Sequence, residues 1–464
     1  MKKNINIPST VFCWFTMSIL LVTCTSDFLC AQTYDIVHQV QADQTLNVKT
    51  QIQYLGSVIA DGAGEQANAK VVPLEVRGQF HFDQRISESS KSGPQAIRVF
   101  EKAAAEIKTG TERKDPQLEN ENRLLLARIK DSSGDSELQI ASIGGVLSQK
   151  EYELLKNPGD PLSFTTLFDK TDVEVGEKWP VEKEQLGGFL AYDRIVSSSC
   201  NLMVKSVESG IAKVYIFGKV RGQVDDARSE ATIKWIAQFD LEKKMVTAIR
   251  LAIDEERRPG AFAPGFEGKI KIDTRIVPAA ANPLLSKDRM ARQFKGKKIK
   301  FSFAFNRPNN AYRLTHDTGW RVIVAEDDEA VFRFVDGGDL IAQCNISEQP
   351  SRPKESPLSL SQFQQEVQQI IGQKEARVVD AGRDTSKQGY EVLRVAVEGV
   401  EEGIQFNWLY YHVTAQDGRR VAVIFTVEQD TADLVKGTER KLIDSIVFKQ
   451  AKQAAAPNAT QLSR

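Results

Sequence analysis

The chain has 464 residues, 41% hydrophobic and 27% charged, which are proportions of ordinary globular chains and argue against a disordered polymer or a membrane-embedded helical bundle. Its 61 basic and 62 acidic residues leave a formal net charge of -1, so there is no electrostatic case for nucleic acid or an anionic membrane surface as partner. The length exceeds one ordinary core and implies two or three domains.

Residues 1–31 differ in kind from the rest. Lys2 and Lys3 precede an apolar run over 11–24 (VFCWFTMSILLVTC) and a short polar stretch ending at Ala31, the three-part layout of a secretory signal, with Gln32 as the new terminus. As an uncleaved anchor the apolar run falls short of the ~20 residues a spanning helix needs. A lipoprotein signal is the other alternative: Leu21-Val22-Thr23-Cys24 offers Cys24 for lipidation, although Thr23 departs from the small residue expected there. The expectation is an exported protein, periplasmic or extracellular, with a lipoprotein as the variant. Three of the five cysteines lie in this segment. Cys200 and Cys344 remain, too few for a disulfide framework, and each sits in an apolar run suited to an inert buried thiol.

Residues 32–276 read as a β-rich domain. Leu46, Val48, Thr50, Ile52 and Tyr54 alternate with polar neighbours, as do Val72, Leu74 and Val76, predicting half-buried strands. Ile97, Phe100, Ala104 and Ile107 after Pro94 predict a surface helix, followed by a solvated loop over 108–122. Strands are expected at 124–129 and 137–141 about a turn at Gly134. Ser148 and Glu151 form a capping-box pair that opens a helix over 148–156, stopped by Asn157-Pro158-Gly159. Residues 173–180 predict a turn seating Trp179. Strands at 200–207, 212–220, 231–239, 245–253 and 269–276 follow each other through short turns, which favours antiparallel pairing.

Residues 277–299, with their prolines, alanines and basic cluster, read as a linker into an α+β domain over 300–449. That domain opens on a strand at 300–305 and continues with a hairpin of strands 330–335 and 340–347. A helix over 361–373 carries Phe363, Val367, Ile370 and Ile371 on one face. Strands at 390–397, 404–414 and 420–427, then a helix over 430–446, complete it, and residues 450–464 are expected to be a disordered tail. The predicted class is α+β: an N-terminal β-rich antiparallel barrel or half-barrel with short helices, and a C-terminal antiparallel sheet flanked by helices.

In the second half, the strand FSFAF, the Gly319-Trp320 step, the helix SLSQFQQEVQQII, the strands paired around Asp417-Gly418 and the closing helix before Ser445-Ile446-Val447-Phe448 stand in an informative order. Over residues 299–449 this order resembles the PsbP-like family and its DcrB-like relatives. The resemblance implies an α/β/α sandwich with accessory or assembly roles and no catalytic motif to transfer. The first half, with Gly218 and Gly222 placed to let a sheet bend, resembles the LolA-like envelope half-barrels, which implies a carrier of an apolar ligand. A barrel or sandwich filled by its own side chains fits the same residues.

Chemistry-bearing residues are sparse. The four histidines are scattered, and HExxH, P-loop, G-x-S-x-G and paired CxxC patterns are absent from the sequence, which removes the commonest hydrolase and nucleotide sites without excluding an unfamiliar one. The best local constellation is Phe406, Trp408, Tyr410 and His412, alternate residues on one strand beginning with Ile404. They suit either a ligand groove or core packing beneath a helix. The acidic run 326–329 lacks the alternate spacing of a calcium loop, and 254–258 reads as strand-end ion pairs. Neither catalytic nor metal residues, nor a cofactor, are expected. The function expected is binding or assembly in the bacterial periplasm or cell envelope by a non-enzymatic protein, with a protein partner. An apolar ligand carried in the N-terminal sheet and an envelope hydrolase are the alternatives. No nucleic-acid partner and no transmembrane segment in the mature chain are expected.

Overall fold

The structure is a computed structural model describing residues 32–449, apart from 40–43, 61–69, 91–92, 120–121, 133–134, 261–262, 296–298, 309–310, 337–338, 354 and 373–374. The proposed signal, Cys24, the Gly134 turn and the tail over 450–464 lie outside the described residues.

The first half pairs β1 (Thr33–Val37) with a distant strand and then builds one large antiparallel sheet. β2 (Thr45–Ala60), β3 (Lys70–Ser90) and β4 (Gly93–Thr109) form a long meander, with β5 (Glu112–Lys114) folding back on β4. β6 (Leu124–Ser132) and β7 (Asp135–Ser142) form one end of the sheet, and β8 (Leu147–Ser148) leaves it. A helical segment follows: α1 (Gln149–Leu155), a 3-10 turn (Pro161–Ser163) and α2 (Phe164–Leu167). Beyond it come β9 (Asp169–Glu174), the partner of β1, then β10 (Lys178–Pro180), α3 (Lys183–Leu190) and β11 (Arg194–Ser198). The sheet then runs on through β12 (Asn201–Glu208), β13 (Ile211–Val224), β14 (Ala227–Asp240), β15 (Met245–Arg257) and β16 (Gly265–Ala279), and β16 pairs with β2.

Period-two alternation explains which face is covered. On β14, Ile233, Trp235, Ala237 and Phe239 are buried while Lys234 and Gln238 are exposed, and β16 buries Ile270, Ile272 and Ile276 while exposing Lys271, Asp273 and Arg275. Each fully buried aliphatic or aromatic side chain contributes about 2 kcal/mol. The helical segment over 149–190 lies on this apolar face and fills it. Trp235 stacks on Phe189 at 4.4 Å between ring centroids and on Phe164 at 5.7 Å, and Phe168 meets it edge-on at 5.5 Å.

The barrel alternative is corrected by the strand order: β7 stands at one end and β10 and β11 at the other, and the two ends do not pair. Instead α3 packs on both β7 and β11 and occupies the seam. Its Gly187 allows this, because a methyl there would lie 2.3 Å from the Ser136 carbonyl oxygen. Gly218 also acts through close approach, since β13 changes partner there from β12 to β11 and a methyl would lie 2.5 Å from Cys200 Cα.

The surface helix expected over 94–107 is β4. Glu101 is a bulge, with His81 paired to Lys102 and Phe82 to Phe100, so the alternation slips and the apolar positions imitate helical spacing. Both faces of β4 are covered: Ala96, Phe100 and Ala103 enter the main core, while Ile97 and Val99 face a second cluster with Leu285. The stretch expected as a linker carries a 3-10 turn (Pro283–Leu285) and α4 (Lys287–Phe294), and the Leu285 carbonyl accepts from Arg85 Nη1 at 2.9 Å.

In the second half β17 (Ser302–Asn306) and β18 (Tyr312–Asp317) pair with each other, and β17 also pairs in parallel with β8 of the first half. β19 (Trp320–Ala325), β20 (Glu329–Asp336), β21 (Asp339–Gln349), β22 (Glu375–Thr385), β23 (Glu391–Glu401), β24 (Ile404–Thr414) and β25 (Arg420–Glu428) form a seven-stranded antiparallel sheet. α5 (Leu360–Ile371) covers one face. The other is covered by β17, β18, α6 (Ala432–Val435), α7 (Thr438–Ser445) and β26 (Val447–Phe448). The helix expected over 430–446 is broken into α6 and α7 by Gly437, whose φ of 82° lies in the left-handed region. This arrangement of antiparallel sheets with a few helices fits an α+β fold. No helix among the described residues is long and apolar enough to cross a membrane.

Candidate functional site

The aromatic stripe lies on β24, between β23 and β25, under α5. Ser359 caps that helix through a reciprocal pair with Gln362, and the helix presents Phe363, Val367 and Ile371 to Leu393, Val395, Val397, Trp408 and Tyr410. Along the stripe Ile404 is exposed, Phe406 half-buried, and Trp408, Tyr410 and His412 buried. Phe406 and Trp408 pack at 5.6 Å, so the middle of the stripe is core. Ile370, placed by sequence on the packed face, is exposed.

At its far end the stripe meets a cleft of about 300 Å³ whose lining includes Arg352, Leu358, Glu391, His412, Thr414 and Arg420. His412 packs against Phe363 at 5.7 Å. Its Nε2 lies 3.3 Å from Arg420 Nη1, and since a guanidinium can only donate, Nε2 accepts. The ring proton therefore sits on Nδ1, which donates to Thr414 Oγ1 at 3.2 Å. Burial, then the charges of Arg420 and Arg352, pull the imidazole down to about 4, so it is neutral near pH 7. Arg420 itself is lowered, first by burial and then by Arg352. Of the nearby acids among the described residues, Glu391 pairs with Arg383, while Glu366 meets Arg352 at 3.5 Å and its charge also favours the Arg420 guanidinium; with Glu366 largely exposed and Arg352 half-buried, this pairing is weak.

Arg352 and Arg420 were not legible as a pair. Gly418 brings them together: the turn at 415–418 receives the 350–353 strap so closely that a methyl on Gly418 would lie 2.1 Å from the Arg352 carbonyl oxygen, and Arg352 N donates to Gly418 O at 3.1 Å. The Asp417-Gly418 turn was visible in sequence, but its contact with the strap was not.

Residues 326–328 form the exposed turn between β19 and β20 and half-buried Glu329 opens β20, and no group of three or more metal-ligating side chains occurs among the described residues. In the 254–258 stretch Glu255 is buried and bound by Arg257 Nη2 at 2.8 Å, Ser229 Oγ at 2.6 Å and Tyr192 hydroxyl at 3.1 Å. Cys200 and Cys344 are buried free thiols, and burial pushes both up.

No family model and no curated protein matches the chain. Some solved structures are similar over part of it. Cyanobacterial PsbP from Synechocystis sp. PCC 6803 is 16% identical, with 33% of this chain and 96% of that one covered at a TM-score of 0.26. Lipovitellin, in a structure of its lipid–protein interactions, is 9% identical, with 54% and 26% covered at 0.29. A protein from Bacteroides thetaiotaomicron VPI-5482 is 12% identical, with 32% and 48% covered at 0.23. The likeness to PsbP is weak, and this chain spans half or less of the length of the other two.

Proposed function

We propose that this is a non-enzymatic binding protein, exported to the periplasm or cell envelope, and that the cleft beside His412 receives an anionic group, a carboxylate, of its ligand or protein partner. The observation that carries this reading is the convergence of the Arg352 and Arg420 guanidiniums on one cleft. Two like charges held together disfavour each other, and a bound carboxylate relieves that repulsion while accepting charge-assisted hydrogen bonds. Neutral His412 contributes no competing charge and fixes Arg420 by accepting from it. The Trp408 and Tyr410 rings stiffen the strand that carries it.

An NMR titration with N-acetylglycine and with peptides bearing free or amidated C-termini tests this. The His412 ring resonance, assigned with His412→Gln, is expected to shift saturably with the free carboxylates, and its pKa to rise as the added anion offsets the arginines. Arg420→Gln is expected to weaken the shift at least tenfold. Absence of a saturable shift at tens of millimolar probe, or an equal response in Arg420→Gln, removes the proposal.

A further inference from the structure

Arg307 follows β17 and its backbone N–H donates to the Tyr312 carbonyl at 3.1 Å, closing the turn into β18. Its side chain then goes inward. The residue is 1% exposed, and Nε, Nη1 and Nη2 all lack a hydrogen-bond partner among the described residues. Its guanidinium carbon lies 5.7 Å from the centroid of the Tyr312 ring. Tyr312 is 0% exposed, and among the described residues its hydroxyl makes no hydrogen bond of good geometry, the Arg307 guanidinium being the donor beside it. Burial pushes that hydroxyl up, while the neighbouring guanidinium pulls it down.

A guanidinium does not shed its proton in a protein, so this is a permanent charge withdrawn from water. An unpaired buried charge costs several kcal/mol, and folds hold one only with a counter-charge. Glu348 is the acid that bears on Tyr312, yet it is exposed and forms no hydrogen bond with Arg307. Cys344, the other neighbour, is a buried thiol that burial keeps protonated. Among the described residues the Arg307 N–H donors therefore meet no acceptor of good geometry, and the Tyr312 phenol stands beside them in the core.

From this juxtaposition we infer that Arg307 and Tyr312 form an enclosed site for a small planar oxyanion of the carboxylate class. Such an ion meets two parallel N–H donors of the fork and the phenol at once, whereas a sphere can meet each only singly. The near-zero exposure of both residues restricts the occupant to a few atoms. It lies on the opposite face of the seven-stranded sheet from the His412 cleft, so the two proposals are independent.

Thermal unfolding of the whole protein, dialysed into gluconate, tests the site with formate, nitrate and chloride added at constant ionic strength. Formate and nitrate are expected to raise the midpoint saturably by several degrees, and chloride by less. Arg307→Met, which removes the charge and keeps the bulk, is expected to lose the response, and Tyr312→Phe to weaken it about tenfold in half-saturating concentration. A wild-type midpoint indifferent to formate and nitrate overturns the inference without reference to any variant. So does an undiminished response in Arg307→Met, and so does a response that appears only in Glu348→Gln, which would make Glu348 the native counter-ion.

Discussion

Arg98 on β4 and Asp160 at the start of the 3-10 turn form a two-pronged ion pair inside the first half, with Nη1 to Oδ2 at 2.7 Å and Nη2 to Oδ1 at 2.6 Å. Both side chains are almost fully buried, Gln84 accepts from Arg98 Nε at 3.2 Å, and Asp160 also accepts from Leu162 N at 2.9 Å. The pair ties the segment that fills the sheet to the sheet itself. On that face Phe164 and Phe189 occupy the space beside Trp235.

Arg98→Met is therefore expected to cost about 3–5 kcal/mol, because it strands the Asp160 carboxylate in the core. Urea unfolding measures it. Adding Asp160→Asn should recover part of the loss, and a double-mutant cycle gives the coupling. Additive effects of the two changes would show that the pair does not hold the segment.

Stability should decline with acid in a window set by the buried histidines. Burial lowers His38 and His316 to about 4 in the folded protein, and His412 is held equally low. The unfolded chain takes up these protons near pH 6.5, so it binds more protons than the folded one between about 6.5 and 4. Stabilisation is thus complete above that window and is lost through it as pH falls, by on the order of 3 kcal/mol per histidine. His38 Nδ1 accepts from Val246 N at 3.1 Å, so His38→Gln can keep an acceptor without titrating. Its urea midpoint should change less than wild type between pH 7 and 4.5, and an equal change would exclude His38 as a contributor.

Across the junction between the halves, Arg321 Nε donates to Asp225 at 3.2 Å and Val322 N donates to Gln149 Oε1 at 2.7 Å, beside the Lys156–Asp193 pair of the first half at 2.7 Å. Burial works against the Arg321 charge, but Asp193 and Asp225 outweigh it and hold the guanidinium above its ordinary range. Arg321→Ala should loosen this junction by about 1–3 kcal/mol. Hydrogen exchange should rise at Leu147, Ser148 and β17, where the halves share a sheet, while β14 stays protected.

Gly187→Ala and Gly176→Ala separate two reasons for glycine. At Gly187 a methyl meets Ser136 backbone, and overpacking of this kind costs about 1–3 kcal/mol and should open the α3–β7 seam. At Gly176 nothing lies within 4 Å of the added methyl, but φ is +91°, so the cost there is conformational. Near-UV circular dichroism of the stacked Trp235 should change for Gly187→Ala and not for Gly176→Ala.

Local structure is legible in the sequence where one physical signal dominates. The Ser148–Glu151 box does cap α1, with Glu151 N donating to Ser148 Oγ at 3.2 Å and Ser148 N to Glu151 Oε2 at 2.8 Å. The alternation over 231–239 and 269–276 marks real strands with the expected inward faces. The stretch over 94–107 misled because Ala103, Ala104 and Ala105 favour a helix and the Glu101 bulge disguised the period, while pairing to β3 and β6 overrode both. For the candidate site, His412 was visible as the polar end of an aromatic row. Arg352 and Arg420 were not, because surface arginines are common and nothing local marks two that will meet.

The sequence by itself determined the strand-rich content, the antiparallel hairpins and the helix that covers the aromatic row, because backbone periodicity, turns and caps act between neighbours. Only the tertiary structure decided that the large sheet stays open around α3, that Arg98 finds Asp160, and that two arginines share a cleft. Those outcomes depend on sheet register and curvature accumulated over many strands, and no short stretch of residues contains them.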